Sequence, residues 1–501
     1  MLVSDVNLPI YECKNSLTAR KNPEVVTYLL QQEVDKGFLK GPFSQPPFLS
    51  YRVSPLGIAT HKYSKKQRLI IDLSSPHNLD EHYSVNDLID KDLCSLTYIK
   101  IDDAINAIQR YGSKSLCCKV DISDAFKQLP IKKEQWHLFC VKWNGQYYHY
   151  VRLPFGCRSS PRLFDSLSTS VCWIAQNNYD IKVIFHLLDD FLTVDKPSDC
   201  GERTMALLSL IFNKLNIPLS SKKTVGPVCE LEYLGIILDT INMQARLPLD
   251  KVERITQFIS FVLDKKSCTR RELEQLLGHL NFATRVILPG RAFVTYLYRL
   301  MCSVKESHHY VHLNKECKSD LTMWLKFLST WNGINMFYES HLTSAADMHL
   351  FTDASSTIGF GGFYQEKWFC DTWPTDLPTI SDKTLSIAFL ELYPIVVSAV
   401  LWGKGWYKKR ILFHCDNLAS VIILTKGRSK DPIIMKLMRR LVMCAAKFNF
   451  AFYSEHVPGK MNLIADSLSR FQMNKFHQLA PEAEKAATPC PTLEEIIWTS
   501  Q

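Results

Sequence analysis

The sequence predicts a multidomain protein that combines α+β and α/β folds. Its 501 residues suggest roughly three or four domains, and 46% hydrophobic with 22% charged residues is an ordinary globular composition. Two blocks mix strand and helix patterns, one up to about Asp250 and one from His349 to about Arg470, whereas Lys251 to about Leu342 reads as helical. Disordered, collagen-like and coiled-coil chains are therefore excluded.

Charge and cysteine usage limit the partners and the compartment. Lysine and arginine total 59 against 50 acids, a formal net charge of +9, which permits a polyanionic partner without establishing one. Sixteen cysteines without a C-x-x-C pair favour reduced thiols in an intracellular protein, in the cytoplasm or the nucleus. The N-terminus lacks the pattern of a signal peptide.

The most apolar window of the chain, Leu385–Gly403, has a length close to that of a membrane span. It contains Glu391 and Pro394, so we expect a buried helix and no membrane partner.

In the first block, short apolar runs indicate strands. Leu116–Ile122 ends in an acid, and Asn144-Gly145 between two aromatic-rich runs predicts a hairpin with a two-residue turn. A second pair of runs, Ile181–Leu188 and Phe191–Val194, flanks the acids Asp189-Asp190.

Three acids of this block are candidate metal ligands. Asp189 and Asp190 lie in an apolar hairpin, where buried carboxylates need cations, although an exposed turn of two acids is the plainer interpretation. Asp121 ends a strand and could complete a two-metal site for phosphoryl transfer. Mg²⁺ suits such a site because it prefers a few carboxylates together with substrate phosphates.

Two helix starts are predicted from capping patterns. Gly156 allows close backbone approach in LPFGCRSSPRLF, and Ser160-Pro161 predicts a helix with Ser160 as N-cap; an ordinary loop-to-helix junction explains the same residues. Thr269-x-x-Glu272 before a helical run of leucines forms a capping box.

The third block carries a second set of acids. Asp353 and Asp416 follow predicted strands, Glu391 lies on an apolar helix, and Asp466 lies in HVPGKMNLIADSLSR. Each alone could be a cap or a surface acid, but four acids in these settings favour metal binding over bare burial.

A basic cluster interleaved with Trp402, Trp406 and Tyr407 could bind phosphates, or it could be a solvated helix terminus. Its members are Lys404, Lys408, Lys409 and Arg410.

Five ordered motifs of the first block resemble the palm of a reverse transcriptase: VDISDAF, LPFGCRSSPRLF, LLDDFL, Lys222-Lys223 and LEYLGIIL. The resemblance implies that Asp121, Asp189 and Asp190 bind the catalytic metals. Leu187, two positions before the paired acids, departs from the aromatic residue usual in the family.

The same resemblance assigns nucleotide-binding residues. Phe126 would exclude a 2′-hydroxyl, Gly156 would belong to the nucleotide site, and Lys223 would approach the leaving pyrophosphate. KYSKKQRLIIDLSSPHN resembles the fingers segment, in which Lys62 and Arg68 would contact the triphosphate; a solvated basic loop is the alternative.

The four acids Asp353, Glu391, Asp416 and Asp466 resemble the site of ribonuclease H, which cleaves RNA in RNA–DNA hybrids. Three further segments resemble those of DIRS-type retrotransposons: DLSSPHN…YSVND, LLGHLNFATRVILPGRAF and HVPGKMNLIADSLSR. Gypsy-type and pararetroviral polymerases are the near alternatives.

These resemblances imply a right-hand polymerase with a helical connection and a ribonuclease H-like domain. The expected partners are RNA and DNA template-primers, RNA–DNA hybrids and deoxynucleoside triphosphates, with two Mg²⁺ per active site and Mn²⁺ as a substitute. A catalytically decayed nucleic-acid-binding protein and a chain with only ribonuclease H activity are the alternatives. The expected divisions are an N-terminal extension (1–29), fingers and palm (30–250), thumb and connection (251–342), a ribonuclease H-like domain (343–471) and a tail (472–501) that could be disordered.

Overall fold

A computed structural model describes residues 9–60, 67–77, 83–330, 335–336, 348–375, 377, 385–407 and 409–497. Its contacts divide the chain into two units, Met1–Leu231 and Glu232–Gln501. The first unit therefore ends at residue 231, while the expected domain boundary at residue 250 stays a prediction. The expected boundary at 342/343 lies outside the described residues.

The first unit contains a five-stranded, a four-stranded and a two-stranded sheet, with strand orders β1-β3-β7-β8-β2, β11-β6-β10-β9 and β4-β5. Its helices are α1 (Leu17–Lys21), α2 (Pro23–Asp35), α3 (Ile101–Tyr111), α4 (Ser160–Tyr179) and α5 (Gly201–Lys214). Its strands are β1 (Tyr11–Glu12), β2 (Leu39–Phe43), β3 (Arg52–Val53), β4 (Leu56–Thr60), β5 (Gln67–Ile71), β6 (Leu116–Asp121), β7 (Cys140–Trp143), β8 (Gln146–Tyr150), β9 (Ile184–Leu187), β10 (Asp190–Asp195) and β11 (Val225–Val228).

The segment expected to be an N-terminal extension contributes to the core of this unit. Ala19 and Val26 are fully buried there, and the Cys13 amide donates to the Val53 carbonyl. Residues 9–29 are thus an integral part of the first unit.

The predicted hairpin is confirmed. Trp143 pairs with Gln146 across β7 and β8, and Asn144 and Gly145 both have positive φ, 48° and 75°, as a two-residue turn requires. The run before it does not start as a strand, because Lys133–Leu138 is a 3₁₀ helix.

The start of α4 differs from the prediction by one residue. Ser160 is the first helical residue, and the cap is Ser159, whose side chain makes no capping hydrogen bond. The Ser160 hydroxyl instead donates to the Pro154 carbonyl at 3.1 Å. This bond ties the helix to its preceding loop, a nonlocal contact that the capping pattern does not encode.

The second unit holds a four-stranded sheet (β12-β13-β14-β17), a two-stranded sheet (β15-β16) and a five-stranded sheet (β20-β19-β18-β21-β22). Its helices are α6 (Leu249–Leu263), α7 (Arg270–Ala283), α8 (Thr295–Cys302), α9 (Lys315–Thr330), α10 (Ile387–Trp402), α11 (Leu418–Lys426), α12 (Pro432–Phe448), α13 (Leu463–Ser469), α14 (Met473–Leu479) and α15 (Leu493–Ile496). Its strands are β12 (Glu230–Tyr233, which begins just before the division), β13 (Ile236–Asp239), β14 (Gln244–Arg246), β15 (Ser267–Thr269), β16 (Tyr310–His312), β17 (Asn335–Met336), β18 (His349–Ala354), β19 (Gly359–Tyr364), β20 (Lys367–Thr372), β21 (Arg410–Cys415) and β22 (Ala451–His456).

The four-stranded sheet explains why the division precedes residue 232. Strand β14 pairs with Asn335–Met336, nearly one hundred residues later in the chain. The capping box of α7 is confirmed, since Thr269 and Glu272 bond reciprocally. The block expected to be helical also contains the pair β15-β16.

Helix α10 is the core helix of the five-stranded sheet. Together with the following 3₁₀ turn, Ile387–Trp406 is long and apolar enough to cross a membrane by length and composition, and 72% of that window is buried. Most of its side chains are buried, including Glu391 and Pro394.

The tail after residue 471 is ordered through residue 497, in contrast to the disorder considered from its composition. Phe476 and Ile496 are fully buried. The amides of Glu484 and Thr488 donate to the carbonyls of Glu366 and Trp368, so the tail binds along β20, the edge strand of the five-stranded sheet.

A buried ion pair joins α9 to α12. Asp320 is fully buried and Arg439 is nearly so, and the guanidinium donates to the Asp320 carboxylate. The guanidinium also lies over the Tyr296 ring, 4.6 Å from its centroid. The expected connection and the expected ribonuclease H-like region therefore share one core.

Replacing Arg439 with methionine is expected to destabilise the second unit by about 3–5 kcal/mol, because Asp320 is left as an uncompensated buried charge. The free energy of unfolding, measured by denaturant titration, tests this. The double variant Asp320→Leu/Arg439→Met is the control and should recover most of the loss. Equal losses in the single and double variants would contradict the argument.

Candidate active sites

The first candidate site lies where β6 meets β10. Asp121, the last residue of β6, is the cross-strand partner of Asp190, the first residue of β10. Asp189 lies in the preceding turn, where its carbonyl accepts from the Ile122 amide at 3.0 Å. Leu188, the residue before Asp189, has a positive φ of 55° in this turn. The strand pairing and the turn together bring the three predicted acids to one end of the sheet.

Two lysines hold two of these carboxylates. Lys223 Nζ lies 2.7 Å from Asp121 Oδ2, and Lys119 Nζ lies 3.2 Å from Asp190 Oδ2. Lys119 is two residues before Asp121 on β6, so both side chains are on the same face of the sheet. Lys119 was not predicted; its i−2 spacing from Asp121 was the available signal.

The electrostatics of this site favour a cation. Burial raises the pKa of Asp190 to about 6, although Lys119 opposes the rise. Burial also raises the pKa of Asp189, to which Asp121 adds, whereas Lys223 and Arg68 oppose it. Asp190 Oδ1 is buried and has no hydrogen-bond partner among the described residues. Such an oxygen, beside two further carboxylates, fits a divalent cation.

Two of the residues predicted to surround a nucleotide, Phe126 and Gly156, pack against neighbouring segments of the first unit. Phe126 is 8% exposed, and its ring centroid lies 4.9 Å from that of Phe155 and 5.5 Å from that of Phe164. Gly156 has a φ of 99°, and a Cβ there would lie 2.4 Å from the Ile71 carbonyl oxygen. The close approach that Gly156 permits is thus to the backbone of β5.

The basic fingers residues are only partly described. Arg68 is exposed on β5 and close enough to lower the pKa of Asp189, whereas Lys62 lies outside the described residues. Asp72 receives hydrogen bonds from the Ser74 amide and His77.

The second candidate site lies at the ends of β18 and β21. Asp353 is near the end of β18, Asp416 directly follows β21, and Glu391 projects from α10. Asp466 lies on α13, which packs against β18 and β19. All four predicted acids therefore come from elements that pack at this sheet.

Burial dominates the titration of these acids. It raises the pKa of Glu391 to about 9, with Asp353 and Asp416 adding to the rise, and it raises the pKa of Asp353 to about 6. Glu391 is 5% exposed, and its Oε2 has no hydrogen-bond partner in the described segments. These carboxylates therefore also fit a divalent cation.

The acids of the second site have different partners. Asp353 Oδ2 accepts a hydrogen bond from the Ser469 hydroxyl. Asp466 forms an ion pair with Arg470, in which Oδ1 lies 2.6 Å from Nε. Within the described residues, the group whose ligand atoms all lie within 4.8 Å of one another is Glu391, Cys415 and Asp416. Sequence reasoning missed Cys415, for which adjacency to Asp416 at the strand end was the only signal.

Two of the three aromatic residues interleaved with the basic cluster belong to the core. Trp402 and Trp406 are buried, and the ring centroids of Trp406 and Phe450 lie 5.0 Å apart, while phosphate binding by the basic cluster stays a prediction. Tyr407 is 59% exposed. Lys404 is exposed, Lys409 and Arg410 are half-buried, and Lys408 lies outside the described residues.

Comparisons with known proteins agree with this architecture. Residues 46–238 match the family described as "Reverse transcriptase (RNA-dependent DNA polymerase)". The chain is 27% identical over 184 residues to the Pro-Pol polyprotein of Simian foamy virus type 1, covering 37% of this chain and 15% of that protein. It is 20% identical over 396 residues to the retrovirus-related Pol polyprotein from transposon opus of Drosophila melanogaster, covering 75% of this chain and 36% of that protein.

Among solved structures, the foamy viral protease-reverse transcriptase in complex with an RNA/DNA hybrid has a TM-score of 0.50 and 14% identity. The match covers 91% of this chain and 56% of that one. The predicted fold class, a multidomain mixed α/β chain with a polymerase fold, is confirmed. Residues 46–238 are accordingly similar to the reverse transcriptase family, in a chain that is similar to Pol polyproteins of retroviruses and retrotransposons.

Proposed function

We propose that this chain is the RNA-directed DNA polymerase of a retroelement. It adds deoxynucleotides to a primer on an RNA or DNA template, and its second unit cleaves RNA in RNA–DNA hybrids. The matched relatives are longer, since the chain spans 15% and 36% of the two polyproteins. The solved foamy viral relative is described as bound to an RNA/DNA hybrid, which supports a nucleic-acid partner here.

The observation that carries the proposal is the cross-strand pairing of Asp121 with Asp190. It brings acids sixty-nine positions apart in the chain to one end of a sheet, next to Asp189. Among the described residues, Asp190 Oδ1 is buried and accepts no hydrogen bond. Hydrogen bonding within the described protein therefore does not compensate for the burial of this oxygen.

The three carboxylates would hold two Mg²⁺ ions, for which Mn²⁺ could substitute. When bound, the ions stabilise the attacking and leaving oxygens of a phosphoryl transfer. The primer 3′-hydroxyl attacks the α-phosphate, a new O–P bond forms, and the bond to the β-phosphate oxygen breaks as pyrophosphate leaves. The hydroxyl proton passes to solvent. The protein contributes by positioning and by charge.

The surrounding cations supply charge for the triphosphate. Lys223 would exchange its contact with Asp121 for the leaving pyrophosphate, and Arg68 would bind the triphosphate together with Lys62. Lys119 holds Asp190 Oδ2 at 3.2 Å, which leaves Oδ1 of the same carboxylate for a cation.

In the second unit, Asp353, Glu391, Asp416 and Asp466 would hold two further Mg²⁺ ions and position the water that hydrolyses RNA. The basic residues Lys404, Lys408, Lys409 and Arg410 would bind phosphates of the hybrid. We further propose that the element is of the DIRS type. This assignment depends on the segments DLSSPHN…YSVND, LLGHLNFATRVILPGRAF and HVPGKMNLIADSLSR.

The experiment is extension of a labelled DNA primer on an RNA template, with hybrid cleavage measured in the same tube. Both activities should require Mg²⁺ or Mn²⁺ and stop on chelation. Cleavage without extension would favour a chain with ribonuclease activity only. Loss of both, with hybrid binding retained, would favour a catalytically decayed binding protein.

Replacing Phe126 with valine should increase ribonucleotide incorporation relative to deoxynucleotides, because a smaller side chain admits a 2′-hydroxyl. The measurement is the ratio of kcat/KM for the two nucleotides on one template. Phe164→Val is the matched control: it trims the ring that packs edge-on against Phe126 and should affect stability but not discrimination. An unchanged ratio in Phe126→Val would refute the steric role.

A further inference from the structure

The second candidate site contains a thiol as well as carboxylates. Cys415 is the last residue of β21 and is fully buried. Its Sγ lies with oxygen atoms of Glu391 and Asp416 in the group whose members are all within 4.8 Å of one another. The thiol donates a weak hydrogen bond to the Asn417 carbonyl at 3.8 Å.

A second observation points to a ligand at this group. Glu391 is 5% exposed, and within the part of the chain that the structure describes its Oε2 is buried and has no hydrogen-bond partner. A carboxylate oxygen left in that state is costly unless it is protonated or binds a cation. It belongs to the same residue that contributes an oxygen to the group with Cys415.

The donor set selects the class of cation. Mg²⁺ binds oxygen ligands, whereas a thiolate prefers zinc and related soft ions. Zinc takes sulfur at about 2.3 Å and carboxylate oxygen at about 2.0–2.2 Å, so tetrahedral ligand atoms lie roughly 3.5 Å apart. The ligand atoms lie within 4.8 Å of one another, so each pair would need to close by at most about 1.3 Å to reach that spacing.

We propose that Cys415, Glu391 and Asp416 form a binding site for a thiophilic divalent cation of the zinc class, and that its occupation inhibits hybrid cleavage. Binding forms a metal–sulfur bond and breaks the S–H bond, and the proton passes to solvent. The inhibitory part rests on the proposed ribonuclease function, because Glu391 and Asp416 then cannot hold Mg²⁺ in the productive arrangement.

Inhibition should be selective for the second unit. Asp121, Asp189 and Asp190 do not form a comparably tight group with a cysteine in the described part of the chain. Micromolar Zn²⁺ added over millimolar Mg²⁺ should therefore reduce hybrid cleavage before it reduces primer extension.

The binding test uses Cd²⁺, a spectroscopic probe for the same ligands, on the purified full chain. Cadmium–thiolate bonds absorb in the ultraviolet, so the titration reports sulfur ligation without any activity. Cys415→Ser should remove one contribution to the absorption and weaken Zn²⁺ binding, measured by competition with Cd²⁺, about tenfold or more. Cys444→Ser, another buried cysteine outside this group, is the control and should titrate like the parent.

Equal Cd²⁺ spectra in the parent and Cys415→Ser would overturn the site. Should serine unfold the chain, Cys415→Ala tests the same loss, and Glu391→Gln should lower Cd²⁺ affinity while the thiol remains. Inhibition by Zn²⁺ is then measured relative to each variant's own uninhibited cleavage. A Cys415-dependent cadmium spectrum in a parent that cleaves no hybrid would uphold the site and refute the proposed ribonuclease function.

Discussion

Asp189→Asn is expected to abolish primer extension while hybrid cleavage continues. The substitution removes a negative oxygen from the group formed with Asp121 and Asp190, and a misplaced metal loses several kcal/mol of transition-state stabilisation, or about 10³-fold in rate. The measurement is nucleotide incorporation and hybrid cleavage by the same purified preparation.

The matched control is Asp199→Asn, an exposed acid of the same unit that lies outside the catalytic group. It should extend primers at the parental rate. Extension by Asp189→Asn at that rate would refute the assignment of the first site, and loss of both activities would point to unfolding, which circular dichroism would reveal.

Asp416→Asn is expected to have the converse effect. The rate of hybrid cleavage should fall by about 10³-fold or more, whereas primer extension should be retained. Asp416 lies with Glu391 in the tightest group of potential ligands among the described residues. An amide in its place keeps the shape but loses the charge that a cation needs.

Asp371→Asn is the control for this second variant, because Asp371 is exposed at the end of β20 and has no proposed part in cleavage. If Asp416→Asn cleaved hybrid like the parent, the second site would be wrongly assigned even if the first were correct. The two variants together therefore separate the two activities within one chain.

Local sequence signals predicted the elements that carry the sites. The apolar run ending at Asp121, the Asn144-Gly145 turn and the Thr269 capping box all correspond to observed structure. Each depends on residues that are neighbours in the chain, so the pattern contains the physical cause.

Features that depend on distant residues could not be predicted in this way. The buried pair Asp320–Arg439 joins positions 119 apart, and the division before Glu232 depends on β14 pairing with Asn335–Met336. The same holds for Trp406, which has basic residues near it in the chain but is buried in the core against Phe450.

Within the sites, the sequence indicated the acids but not the groups that hold them. An aspartate in an apolar segment indicates that a positive charge must lie nearby in the fold. Which residue provides that charge depends on which strand lies alongside. Lys119 and Cys415 were identified only once β6 and β21 were placed next to their partners, and the contact of the predicted Lys223 with Asp121 likewise depends on the fold.

The contact of the tail with β20 has a practical consequence for expression. The backbone of Glu484 and Thr488 occupies hydrogen-bonding positions on that strand, and Phe476 fills a hydrophobic cluster beside it. A truncation after the last acidic motif would leave an unprotected strand edge with bare apolar surface, the combination that promotes self-association and precipitation. Fragments designed to isolate the second unit should therefore extend through residue 497.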